Sequence, residues 1–150
     1  MSAPGRPRIP IGAANLLTTR GYVRDVASGI RLAAERGDVA GEIFNLGEHR
    51  TLSMLLWARA IVEAAGSAGE LVRVPDDALP PDLGMTAVVD QHLLVDSSKA
   101  RSVLGWVEMD KAEAITRSVA WHLAHPPEAD ADFSADDEAL ARGAGQDPSV

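Results

Sequence analysis

Between Gly21 and Trp121, short apolar runs alternate with stretches of helical spacing, and glycine or proline closes most of them. That alternation constrains the fold more than any other feature, because strand and helix patterns taken in turn build layered α/β structures. Gly21, Tyr22 and Val23 read as a short extended piece leading into Asp25, a good helix cap. Val26, Ile30 and Ala33 follow at helical spacing, and Gly37 stops that helix. Residues 41–47 read as a strand whose adjacent Ile43 and Phe44 suit burial on both faces, as in a parallel sheet. Thr51 to Ala65 is the next helix, with Leu55, Ala58, Val62 and Ala65 on one face and Gly66 as its stop. Leu71 to Val74 alternates as a strand, and the prolines and glycine of Pro75 to Thr86 mark an irregular loop. Leu93 to Val95 is a short strand, after which Asp96 and Ser97 cap a helix that ends at Gly105. Asp110 with Glu113 makes a capping-box start for the last helix. Ile115, Val119 and Leu123 line one face of it until Pro126 and Pro127. The expected fold class is therefore α/β: an incomplete sheet of few short strands with about four helices.

A chain of 150 residues is long enough to bury one real core. Aromatic residues make up only 4% of it, so burial yields less per residue than in a core rich in large side chains. The absence of cysteine excludes disulfides, thiolate catalysis and cysteine-ligated zinc together. No apolar run approaches the roughly 20 residues that span a membrane. The basic start, Met1 to Arg8, lacks the apolar stretch of a signal peptide, so the expected compartment is the cytoplasm. Of the net charge of −8, only −2 belongs to residues 1–125, where 15 acids face 13 bases. Seven acids against Arg142 alone follow Pro126, a composition that reads as a solvated, disordered tail. No basic face stands out, which argues against nucleic acid as a partner. The expected organisation is an irregular segment 1–20, an α/β domain 21–125 and an acidic tail 126–150.

Four motifs then carry a resemblance. Tyr22-Val23-Arg24-Asp25-Val26-Ala27 is similar to the "YVhvdDVA" strand-into-helix segment of extended short-chain dehydrogenases, the NAD-dependent epimerase/dehydratase family. Gly41-Glu42-Ile43-Phe44-Asn45-Leu46-Gly47 is similar to that family's "GeiyNvG". Asp96-Ser97-Ser98-Lys99-Ala100-Arg101 with Leu104-Gly105-Trp106 resembles "DaSKAr..LGW", and Trp121-His122 through His125-Pro126 resembles the terminal "tv.Wh..hP". The resemblance implies the C-terminal, substrate-side part of a Rossmann-like enzyme that uses NAD or NADP on a small-molecule, sugar-like substrate. It also implies a glycine-rich phosphate turn and a Tyr-x-x-x-Lys pair elsewhere in such an enzyme. This chain contains no Gly-x-Gly-x-x-Gly run, and Val26 stands four places after its single tyrosine, Tyr22. Only 20 residues precede Gly21, fewer than the roughly 30 of a dinucleotide-binding βαβ unit. The expectation is a chain that holds no cofactor and runs no catalysis alone. It self-associates or takes a Rossmann-bearing partner, because a strand at 42–46 would keep an unpaired edge.

Candidate substrate contacts are Thr18, Arg20, Tyr22, Arg24 and His92, with no catalytic, cofactor or metal residues assigned. In the family's nucleotide-sugar members an arginine stands seven residues before the aspartate that Asp25 matches, and that position here is Thr18. A second such arginine would fall in residues 82–86, which hold no base. Threonine cannot supply the forked pair of charged bonds that phosphate takes from arginine, so a smaller or less anionic ligand is expected. His92 is the histidine best placed for ligand contact, whereas the His122 and His125 pair suits a surface position near a helix end. Asp25 is read as a cap, Asn45 as a turn-stabilising residue, and Trp57, Trp106 and Trp121 as packing, with Trp106 between the last two helices. Three readings remain open: the substrate-recognition part of an oxidoreductase, a standalone non-catalytic binding module, or a non-functional remnant.

Overall fold

A computed structural model describes residues 7–80, 91–128 and 131–143. Among them are a two-stranded parallel sheet and five helices, an incomplete α/β fold. Strand β1 (Arg8–Ile11) pairs in register with β2 (Glu70–Arg73), Ile9 opposite Leu71 and Ile11 opposite Arg73. Parallel pairing needs a long crossover. It is supplied by α1 (Val23–Ala34), a 3₁₀ turn at Gly37–Val39 and α2 (Met54–Ala64). After β2 come a 3₁₀ turn at Asp76–Ala78, then α3 (Ser98–Leu104), α4 (Lys111–Ala124) and α5 (Ser134–Gly143).

Local chemistry explains the helix ends. Ser53 caps α2 by accepting from the Leu56 amide, and Asp110 caps α4 by accepting from the Glu113 amide, as the capping-box pattern anticipates. Helix α3 closes on Gly105 at φ 67°, a left-handed position that glycine takes without strain. Asp25 does not cap α1, because Tyr22 holds the N-cap position. Instead the Asp25 carboxylate accepts from the Met109 amide at 3.0 Å, and its carbonyl accepts from Trp106 Nε1 at 2.7 Å. The Asp25 side chain thus ties α1 to the segment before α4.

The tightest packing surrounds Trp106. It is 2% exposed and clusters with Val39, Ala100 and Leu104, with Leu32, Ala33, Phe44 and Leu46 against them. Its place is therefore between α1 and α3, and not between the last two helices as the sequence suggests. The close approach extends to Gly29, where an added Cβ would meet Leu46 at 2.5 Å.

The structure departs from the sequence reading at both ends. The segment expected to be irregular, 1–20, contains β1. The segment expected to be a solvated tail contains α5, which packs on β1, β2 and the Asp76–Ala78 turn. Ala139 and Leu140 dock there, fully buried and 7% exposed respectively. Burying one leucine contributes about 2 kcal/mol, enough to hold an otherwise acidic helix down.

Neither the expected strand at residues 41–47 nor that at Leu93–Val95 forms a ladder among the described residues. The first is held by single bonds, Gly47 N to Ser97 Oγ at 2.8 Å and Asn45 Nδ2 to the Asp96 carbonyl at 3.3 Å. The second makes one parallel bridge, Leu93 with Thr18. With no strand beside them, Ile43 stays 81% exposed and Leu94 60% exposed. The expected irregular loop has a 3₁₀ turn at its start, and its remainder from residue 81 lies outside the described residues.

Candidate ligand cavity

A cavity of about 480 Å³ lies between α2, α4 and the start of α1. Helix α2 contributes Trp57 and Ile61, and its C-cap Ala65 continues the same face of the 3.6-residue period. Helix α4 contributes Ala114, Ile115, Ser118, Val119, His122 and Leu123. Arg20, Gly21, Tyr22 and Asp25 enter from the chain before and within α1, Trp106, Glu108 and Met109 from the chain leading into α4, and Lys111 from the first position of α4. Small-molecule sites have this character: concave, mostly apolar and with few polar groups.

Three charges are coupled at the site. Lys111 Nζ stands 2.7 Å from Glu48 Oε2. At that distance the buried ammonium is paired with the Glu48 carboxylate. The Glu48 amide donates to the Arg20 carbonyl at 2.8 Å, which keeps the two residues side by side. The Arg20 guanidinium donates to the Thr18 carbonyl at 2.9 Å and to Met54 Sδ at 3.4 Å. It lies 4.3 Å from the Trp57 ring centroid, a cation–π distance. Burial pulls its pKa below the ordinary arginine value of 12.5, with Glu48 pulling the other way. Removal from water therefore outweighs the carboxylate's compensation.

The neighbouring carboxylates are committed elsewhere. Glu108 accepts from the His49 amide at 2.9 Å and pairs with Arg101 at 3.2 Å. Asp25 holds the Met109 amide. No group of three or more metal-ligating side chains occurs among the described residues.

Of the five candidate contacts, Arg20 and Tyr22 line the cavity and the other three do not. Thr18 sits beside it, its hydroxyl buried without a hydrogen-bond partner among the described residues. Arg24 is exposed on α1. His92 is exposed, and its Nδ1 accepts from the Leu17 amide at 3.1 Å. An accepting Nδ1 requires the neutral tautomer with its proton on Nε2, so this imidazole fastens the chain before Thr18. His122 lines the cavity, and His125 stacks on Trp121 at 4.5 Å. Sequence reasoning did not pick out Glu48 or Lys111, and it took Trp57 for packing. Trp57 at a four-residue spacing from Ile61 was the available signal.

No family model and no curated protein matches the chain. Its architecture is nevertheless part of a known fold, that of the Rossmann-like NAD-dependent epimerases and dehydratases. The UDP-glucose 4-epimerase of Bifidobacterium longum, solved with NAD+ and UDP, aligns at a TM-score of 0.58 and 23% identity, covering 78% of this chain and 35% of its own. The dTDP-glucose 4,6-dehydratase of Bacillus anthracis, solved with NAD, aligns at 0.58 and 18%, covering 77% and 34%. The protein RMD of Pseudomonas aeruginosa, solved with NADPH, aligns at 0.56 and 14%, covering 75% and 34%. At these identities the likeness is one of fold, and the chain spans about a third of the length of those structures.

Proposed function

We propose that this chain is the substrate-recognition part of an NAD(P)-dependent epimerase/dehydratase-like oxidoreductase and is catalytically inactive alone. The observation that carries the reading is the cavity between α2 and α4, a ligand-sized space in a chain with the fold of part of such enzymes. Its polar groups bind and orient. The sequence offers no glycine-rich phosphate turn and no Tyr-x-x-x-Lys pair to place hydride chemistry beside them. The substrate is a small, sugar-like molecule, and the compartment is the cytoplasm. Among the described residues no helix is long and apolar enough to cross a membrane.

The same reading calls for a protein partner, a Rossmann-bearing chain or a second copy. Ile43, Leu94 and Val95 stand exposed on segments with few backbone partners, and such a surface favours association. Light scattering over a concentration series should show mass rising with concentration. A monodisperse monomer throughout would remove self-association.

Calorimetry with NAD and NADP at millimolar concentration tests the functional reading, with dilution heat alone expected. A saturable micromolar isotherm would overturn it. A second reading, a standalone binding module, draws support from α5, which covers part of the sheet with this chain's own residues.

A further inference from the structure

We infer that the cavity between α2 and α4 takes an uncharged sugar ring, its hydroxyls read by Ser118 and Tyr22 and its apolar face set against Ile61 and Ile115. The inference rests on the reading of this cavity as the recognition site. It adds the charge class of the ligand and two residues that set specificity.

Charge balance carries the first half. Lys111 pairs with Glu48 at 2.7 Å, and Arg101 pairs with Glu108 at 3.2 Å. The Asp25 carboxylate accepts from the Met109 amide. Arg20 lies 4.3 Å from the Trp57 ring centroid and interacts with the Glu48 charge. The three acids of the lining, Asp25, Glu48 and Glu108, thus face three bases, Arg20, Lys111 and Arg101. A ligand of either sign would bring an ion into a mostly apolar space with no counter-charge left for it. A diphosphate, a carboxylate and an ammonium are all disfavoured on that ground.

Unspent hydroxyls carry the second half. A serine or threonine inside a helix commonly bonds back to a carbonyl three or four residues earlier. Ser28 does so to Asp25 at 2.9 Å, Ser102 to Lys99 at 3.3 Å and Thr116 to Ala112 at 2.8 Å. Ser118 does not: it lines the cavity, half-buried, and its hydroxyl has no partner among the described residues. The Tyr22 hydroxyl has none among them either. Each of these groups both donates and accepts, as a sugar hydroxyl does. Ile61 and Ile115 supply the dry wall against which the C–H face of a sugar ring can lie.

The test is calorimetry on the whole chain with phenyl β-D-glucopyranoside, phenyl β-D-glucuronide and phenol. The two sugars differ only in carrying a hydroxymethyl group or a carboxylate. The glucoside should bind at least about tenfold more tightly than the glucuronide, whose charge stays uncompensated. It should exceed phenol, which lacks the ring hydroxyls, by about the same factor. Ser118→Ala and Tyr22→Phe each delete one hydroxyl, and each should weaken the glucoside about fivefold while leaving phenol unchanged. A merely structural role would move both ligands together. Tighter binding of the glucuronide, phenol binding as well as the glucoside, no binding of the glucoside, or glucoside binding unchanged in both variants would each overturn the inference. The NAD and NADP titrations fail separately: cofactor binding there overturns the functional reading, whatever the glucoside does.

Discussion

Trp106 borders two regions finished in different ways. Against Val39, Ala100 and Leu104 its indole is sealed, with the Nε1 proton given to the Asp25 carbonyl. It also borders the space between α2 and α4, which stays open at about 480 Å³ and gathers Arg20, Glu48 and Lys111 around it. The first region is filled by side chains that match its shape, and it contributes stability. The second sets paired charges beside unfilled apolar space, so its walls make fewer packing contacts and contribute less stability.

The largest effect should follow from emptying the sealed side. Trp106→Ala should lower the unfolding free energy by about 3–5 kcal/mol in urea denaturation. A loss under about 1 kcal/mol would mean that the Trp106 cluster is not the main core. Next comes α5. Ala139→Asp places a carboxylate in a fully buried position and should cost about 2 kcal/mol. A neutral outcome would restore the view of this segment as a dispensable tail.

On the open side the same kind of truncation should be mild. Ile61→Val should cost about 0.5 kcal/mol, at the low end for this exchange, because Ile61 already borders empty space. A cost near that of a sealed core site would show that the space closes in solution.

The smallest effect concerns pH. The Ser98 amide and hydroxyl both bond to the Asp96 carboxylate and hold its pKa below the ordinary 3.8. A depressed folded-state pKa stabilises at pH above the unfolded value and is lost as pH falls through the folded one. Asp96→Asn should therefore unfold at a slightly lower temperature than wild type at neutral pH. The gap should narrow as pH falls below 3.8. A gap unchanged by acid would assign the difference to the side-chain amide itself.

The first four helices were legible because their boundaries are local: Gly105 after α3, Asp110 before α4 with Glu113 in its first turn, Gly66 after α2. Strand β1 was not, since Pro10 interrupts Arg8–Ile11 and lacks a donor, which reads as a break unless the partner strand is known. Helix α5 was hidden by its acids, because docking rests on Ala139 and Leu140 finding a surface that only the folded sheet provides. Arg20 and Tyr22 were singled out from their place before α1, and both line the cavity. Glu48 and Lys111 were not, since their pairing is made by tertiary structure and no local pattern announces it.

The most direct test of the open region is the response of the three tryptophan indole N–H resonances to dissolved benzene, a ligand that enters open apolar cavities. Trp57 and Trp106 line the cavity, whereas Trp121 is 58% exposed and stacked on His125. The account predicts saturable shifts at Trp57 and Trp106 with Trp121 unmoved. Shifts confined to Trp121, or none at saturating ligand, would contradict it.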